Sequence, residues 1–273
     1  AGLAEQEPPP GITLHHVPFI SRPSAVKNAS FQKNSRRLVA GKTFDIVHGL
    51  SQVFPQDVYR VGEPLHMHWL LQRTATRWQR LLKYCSPRHQ VILTIERHIF
   101  MPGNYRRIIV NSRLCRQQVI DYYGVPEKKI RLIYNGVDSA DFSFDETGRT
   151  RTAAREKFGI AGSDFVLLFA GNDFKRKGLI HALQTTRRLR QSGYPVKLAI
   201  AGRGNALFAK RCAAACKVAD AVIILGTVGS MLELYHAADL LLLPSLYDPF
   251  SNVCLEAMTC GLPVVTTRSN GAC

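Results

Sequence analysis

No apolar run in this 273-residue chain approaches the roughly 20 residues that a membrane-spanning helix needs. Its apolar stretches, such as 221–225 and 240–244, have the length of strands. No secretory signal pattern opens the sequence. Acidic residues are scarce, with 20 Asp+Glu against 36 Lys+Arg. The seven cysteines are odd in number and lack close framework spacing, which argues against a secreted disulfide scaffold. Cys212 and Cys216 stand one helical turn apart, but no histidine or second cysteine pair completes a zinc set. Buried free thiols in a reducing cytoplasm are the expectation. No Asp-x-Asp triplet occurs anywhere.

Hydrophobic residues make up 46% of the chain, enough to bury real cores and to exclude a disordered basic tail. The length suits one large domain or two of ordinary size. The net charge of +16 is unevenly spread: residues 1–140 carry 20 basic and 9 acidic side chains, residues 141–273 carry 16 and 11. The densest stretch, 71–116, holds ten basic side chains and one acid, Glu96. Such a surplus attracts polyanions: nucleic acid, anionic lipid or phosphorylated substrates. Charge alone equally describes a solvated surface.

In the second half the pattern predicts strands at 164–170, 196–201, 221–225, 240–243 and 263–266. Helices are predicted at 179–191, 206–217, 231–238 and 252–260. Strands apolar throughout and alternating with helices indicate a parallel sheet covered on both faces. The ligand of such a doubly wound domain lies at the carboxyl ends of its strands. The first half alternates less regularly, with strands at 12–17, 45–49, 58–61, 107–111 and 130–134 and helices near 24–40, 67–84 and 112–123. Turn-forming residues accumulate at 135–152. The architecture predicted is α/β: two Rossmann-like, doubly wound parallel-sheet domains, 1–140 and 141–273, facing a cleft. An α/β domain is not expected to stop at Cys273, just after a strand, so the chain is expected to be a fragment.

The most specific passage runs Tyr247-Asp248-Pro249-Phe250-Ser251-Asn252-Val253-Cys254-Leu255-Glu256. A helix beginning near Asn252 leaves the free N–H groups of Ser251, Asn252 and Val253 and the positive end of its dipole facing the ligand side, an anion site. Glu256, one turn in, suits a diol such as ribose; Asp248 suits hydroxyls of a second group. An anion site flanked by two carboxylates is what a nucleoside diphosphate sugar requires. Gly171-Asn172-Asp173-Phe174-Lys175-Arg176-Lys177-Gly178 follows the first strand of this half. Taken alone it reads as an exposed basic turn. At a strand's carboxyl end, beside the carboxylate loop, Arg176 and Lys177 become candidates for phosphate contact, a planar fork and a point charge.

These passages resemble the donor-binding domain of GT-B glycosyltransferases, specifically the family 4 retaining enzymes that use nucleotide sugars. The resemblance is strong over 164–273, through the Arg-Lys-Gly segment at 176–178 and the spaced acids at 248 and 256. Over 44–138 it is weaker, where Phe44-Asp45-Ile46-Val47-His48-Gly49-Leu50 looks like the enzymes that add hexoses to the lipopolysaccharide core. It implies that Glu256 binds the donor ribose, that Asp248 contacts the donor sugar, and that Arg176 and Lys177 steady the pyrophosphate. It also implies that Gly226, Thr227 and Val228 frame the base and that Gly202-Arg203-Gly204 lies near the nucleotide, with Gly171 closing the strand before the basic segment. Asp248 stands where the family usually has Glu, and Ser251 where it usually has Gly. The family's opening strand, glycine-rich loop and helix are not found, so an amino-terminal unit and carboxyl-terminal helices are expected to be missing. With no Asp-x-Asp triplet, no metal site is expected, and protein groups must neutralise the phosphates.

His48, ending a strand, and His66, at a loop-to-helix turn, are the acceptor-side candidates; a packed or surface imidazole is the alternative for each. Cys254 reads as packing, not as a nucleophile. Arg73, Arg77, Arg80, Lys83 and Arg88, interleaved with apolar residues, suit a basic amphipathic helix lying on an anionic inner-leaflet surface, or an ordinary half-buried helix. The resulting expectation is a cytoplasmic enzyme, peripheral at the inner face of the plasma membrane. It transfers a sugar with retention from a nucleoside diphosphate donor, taken as a UDP-hexose, to a glycan or glycolipid acceptor, with no cofactor. A GT-B epimerase or phosphorylase is the enzyme alternative. A basic nucleic-acid-binding protein is the other, but no groove-reading motif or aromatic platform supports a nucleic-acid partner.

Overall fold

The computed structural model of the chain describes residues 10–72, 78 and 83–273. The chain divides into two compact units: Ala1–Val61 with Leu65–Ile109 and Ile120–Arg131, and Gly62–Pro64 with Val110–Val119 and Leu132–Cys273.

The first unit carries a four-stranded sheet in the order β1-β2-β3-β4, with β1 (His48–Gly49), β2 (Val58–Val61), β3 (Arg107–Val110) and β4 (Ile130–Leu132). β1 and β2 pair in parallel, His48 opposite Val58. Its helices are α1 (Ser24–Ala40), α2 (His66–Gln72) and α3 (Pro87–Ile99); α4 (Arg113–Tyr123) runs from the second unit into the first. α3 opens on Ser86 and Pro87, a proline placed where a helix needs no N–H, and buries Ile92, Leu93, Ile95 and Ile99 along one stripe. The dense basic run hid this helix from the pattern analysis. The strand expected at 12–17 does not form. Ile12 and Leu14 are exposed, and a lone alternating segment without a neighbouring strand leaves its backbone hydrogen bonds unmade. The strand expected at 45–49 shrinks to β1. The helix expected at 67–84 is seen as α2; most of its remainder, with Arg73, Arg77 and Arg80, lies outside the described residues.

The second unit holds β5 (Phe165–Ala170), β6 (Val196–Ala201), β7 (Val222–Gly226), β8 (Leu240–Leu243) and β9 (Val264–Thr266), with α6 (Leu179–Gln191), α7 (Ala206–Ala215), α8 (Met231–Ala237) and α9 (Asn252–Thr259) between them. The strands are ordered β7-β6-β5-β8-β9 and every pair is parallel. Val166 to Ala170 and Leu198 to Ala201 are buried, as strands covered on both faces must be. α5 (Arg149–Lys157), unforeseen, lies across the turn-rich segment. It is held by Arg155, whose guanidinium reaches the carbonyls of Ala161, Gly162 and Asp164 and the Asp239 carboxylate. From β5 the chain winds first toward β6 and β7, then crosses to β8 and β9 on the other side. The carboxyl ends of β5 and β8 therefore bracket the topological switch point, where the diverging crossovers leave a crevice for a ligand.

Candidate functional site

Two loops meet at that point, one after β5 and one after β8. In the first, Asp173 organises a tight turn. Its carboxylate accepts from the Arg176 N–H at 3.1 Å and its carbonyl from the Lys177 N–H at 2.8 Å. Gly178 then starts α6 with φ +81°, and a Cβ there would sit 1.9 Å from the Pro244 carbonyl oxygen. Only glycine lets the two loops approach so closely. The Arg176 carbonyl accepts from the Leu246 N–H at 2.8 Å, fastening the loops by their backbones.

The side chains converge on Asp248, which is buried. Its Oδ2 lies 2.5 Å from Lys177 Nζ and 3.2 Å from Arg176 Nη1. Lys177 Nζ also donates to Ser251 Oγ at 2.7 Å, and Arg176 Nη1 to the Tyr247 carbonyl at 3.1 Å. Arg176 Nε also lies 3.6 Å from Asp173 Oδ2, so two cations meet two carboxylates, and the guanidinium keeps donors unspent. Ser251 is the N-cap residue of α9, and the N–H groups of Asn252 and Val253 begin the helix beside this cluster. Glu256, one turn along α9, accepts from the Tyr235 hydroxyl at 2.5 Å. Burial and the neighbouring Glu256 carboxylate push the Tyr235 hydroxyl well above its ordinary pKa, so it stays a donor. Tyr247, also buried, donates to Gln118 Oε1 at 2.7 Å and anchors the Asp248 loop.

The remaining strand ends are stitched to this centre. Gly171 N–H donates to the Ala201 carbonyl at 3.0 Å and Gly202 N–H to the Gly226 carbonyl at 2.7 Å. A Cβ on Gly202, at φ +128°, would lie 2.1 Å from the Gly171 oxygen. Gly204 lies against the Phe174 ring, Arg203 N–H donates to Asn172 Oδ1, and beyond β7 Thr227 is exposed while Val228 packs on the core.

The structure thus brings Arg176, Lys177, Asp248 and Ser251 into contact, with Asn252, Val253 and Glu256 on the adjoining helix. Gly171, Gly202, Gly204, Thr227 and Val228 occupy neighbouring strand ends. His48 and His66 belong to the other unit. His48 is exposed in β1; His66 opens α2, stacked on Trp69, with Nε2 2.9 Å from His89 Nδ1. Burial, with His89 and Arg88 nearby, lowers its pKa to about 4, so it stays neutral. Its N–H, with that of Met67, donates to buried Glu96, whose pKa burial raises. Burial pushes the Cys254 thiol up to about 11, in keeping with packing. The cysteines are free; Cys115, Cys254 and Cys260 are buried, whereas Cys85 and Cys273 are exposed, contrary to the uniform burial expected. Tyr235, the partner of Glu256, was not foreseen. Lying 21 residues away on the preceding helix α8, it carries no signal beyond a polar tip that burial obliges to find an acceptor.

The sequence profile described as Glycosyltransferase Family 4 matches residues 1–141. This chain belongs to that family. The profile described as Glycosyl transferases group 1 matches residues 150–273. The lipopolysaccharide glucosyltransferase WaaG of Escherichia coli K12 is 25% identical over 271 residues, covering 98% of this chain and 70% of that protein. The crystal structure of WaaG superposes with a TM-score of 0.83 at 24% identity, covering 98% and 71% of the two chains, so the family 4 chain has the GT-B fold. HepE of Anabaena, solved with UDP-glucose, matches with a TM-score of 0.58 at 23% identity over 79% of this chain and 54% of its own. A D-inositol 3-phosphate glycosyltransferase of Pseudarthrobacter chlorophenolicus is 34% identical over 173 residues, 60% of this chain. The chain spans about four-tenths of the length of that and other curated relatives it matches.

Proposed function

We propose that this chain carries the donor site of a retaining glycosyltransferase. It moves a hexose from a nucleoside diphosphate sugar, with UDP as the nucleotide, to a hydroxyl of a glycan or glycolipid in cell-envelope polysaccharide synthesis. The observation that carries the reading is the Arg176–Lys177–Asp248–Ser251 cluster at the switch point, beside the first turn of α9. The likeness to proteins named as a lipopolysaccharide glucosyltransferase and solved with UDP-glucose supports it.

In this reading the diphosphate takes the unspent guanidinium donors of Arg176 and the N–H groups of Asn252 and Val253. Lys177 supplies charge from behind, held by Asp248. Glu256, oriented by Tyr235, accepts from the ribose diol through the oxygen that Tyr235 leaves free. Asp248 lies where the donor sugar joins the diphosphate. As the anomeric bond breaks, charge grows on the leaving phosphate, and preorganised cations that need not reorient stabilise it. The leaving diphosphate takes the proton of the acceptor hydroxyl on the same face, giving retention without a metal. The enzyme works in the cytoplasm at the inner face of the membrane.

A panel of nucleotide sugars screened by thermal shift tests the reading. A donor at 100 times its Kd adds about 2.7 kcal/mol of stability, and Glu256→Ala is expected to lose most of that gain. If no nucleotide sugar stabilises the chain, or Glu256→Ala responds like the parent, the donor site is assigned wrongly.

A further inference from the structure

Three helices of the second unit open on residues that commonly cap a helix: Asn205 before α7, Ser230 before α8 and Ser251 before α9. The first two cap in the ordinary way. Asn205 Oδ1 accepts from the Phe208 N–H at 2.9 Å, and Ser230 Oγ from the Glu233 N–H at 3.4 Å. Ser251 makes no such bond to α9. Its buried hydroxyl accepts from Lys177 Nζ at 2.7 Å instead, and hydrogen-bonds the buried Cys254 thiol. A serine that leaves its cap unmade forgoes stability in the helix it starts, so the contact it makes instead has to serve something else.

The course of Lys177 shows what that is. Its stem passes along the end of β5, where a Cβ on Gly171 would lie 3.0 Å from Lys177 Cγ and 3.4 Å from Cδ and Cε. Its ammonium ends between Asp248 Oδ2 at 2.5 Å and Ser251 Oγ at 2.7 Å. An ammonium carries three N–H donors. With Asp248 as its only partner, it could swing on the last torsions of a flexible stem and keep that bond. The Ser251 contact removes this freedom and fixes the direction of the third N–H, which no acceptor takes among the described residues.

The same contact sets what that donor can reach. Only the serine's own Cβ, Cα and carbonyl carbon separate Oγ from the Asn252 nitrogen, so Lys177 Nζ lies within about 7 Å of that N–H. A phosphate whose oxygens accept hydrogen bonds at about 2.9 Å spans such a gap. The unmade cap also leaves the N–H groups of Asn252 and Val253 without a side-chain acceptor.

We propose that Ser251 is a positioning residue for phosphate recognition: it forgoes its cap on α9 to aim Lys177 Nζ, so that the ammonium and the first N–H groups of α9 hold one phosphate of the donor together. The proposal rests on the transferase reading above and adds to it a direct bond from Lys177 to phosphate, whose direction Ser251 sets.

The test is calorimetric titration of the full chain with UDP, comparing the parent with Ser251→Ala, Ser251→Thr, Lys177→Met and Ser251→Ala/Lys177→Met. Ser251→Ala is expected to weaken UDP about tenfold, the worth of one charge-assisted hydrogen bond. Ser251→Thr keeps the hydroxyl and is expected to stay within about threefold of the parent. On the Lys177→Met background, Ser251→Ala is expected to change UDP affinity by less than about twofold, because the serine acts through the lysine. A residue that only shaped α9 would weaken UDP by the same factor with or without Lys177. Equal UDP affinity in the parent and Ser251→Ala, a threonine variant as weak as the alanine one, or a loss that persists without Lys177 overturns the proposal and leaves the donor reading standing. A parent that binds no UDP overturns the donor reading, and the proposal with it.

Discussion

Lys177 is a buried ammonium, and its environment makes sense only with Asp248 and Ser251 around it. An unpaired charge at that depth is costly, and removing one partner of a buried pair typically costs about 3–5 kcal/mol. Asp248→Asn is therefore expected to lower stability by about 3 kcal/mol in urea denaturation, while Asp248→Glu keeps the pair and most of the stability. A loss under about 0.5 kcal/mol for Asp248→Asn would mean that Lys177 does not depend on Asp248. That Arg176 and Lys177 stand at a strand's carboxyl end beside the Asp248 loop was readable in the sequence, because both segments directly follow apolar strand-length runs. Their wiring was not. That Asp248 binds both cations, and that Tyr235 holds Glu256, depends on side chains far apart in sequence meeting across helices and loops. The contacts of His66 were likewise hidden: its ring stacks on Trp69 and meets His89 from another helix.

Among the elements, the loop after β5 and the start of α6 set the position of both cations through Gly178. Gly178→Ala places a methyl into the Pro244 carbonyl at a positive φ and is expected to cost about 2 kcal/mol or more. UDP affinity should fall with it, since Arg176 and Lys177 must move; titration calorimetry and denaturation on the same variant check both. Unaltered UDP affinity would detach the turn from the site. The elements of the second unit were legible nearly residue for residue, because strands buried on both faces read as uninterrupted apolar runs bounded by glycine. β6, β8 and α6 match their sequence-derived bounds. The first unit was harder. An alternating segment at 12–17 imitates a strand but pairs with no strand among the described residues, and α3 hides its apolar stripe among arginine and histidine.

At the scale of the whole molecule, the charge of +16 divides into local tasks. In the proposed function Arg176 and Lys177 serve the donor, while the densest basic stretch is 71–116, of which Arg73, Arg77 and Arg80 lie outside the described residues. No helix among the described residues is long and apolar enough to cross a membrane. Peripheral binding by the 71–116 stretch is expected to appear as co-sedimentation with phosphatidylglycerol vesicles at 50 mM salt, roughly tenfold weaker at 500 mM and absent with phosphatidylcholine, since screening shortens the reach of surface charge. Salt-independent binding, or equal binding to both lipids, would contradict it.

The most direct trial of the central claim is UDP release from UDP-hexose in the presence of acceptor and EDTA, comparing the parent with Arg176→Ala/Lys177→Ala. Loss of two preorganised phosphate contacts is expected to lower kcat/KM by about 10²-fold or more, with the parent unaffected by chelation. Turnover within a factor of two of the parent would remove Arg176 and Lys177 from the donor site and the account with them.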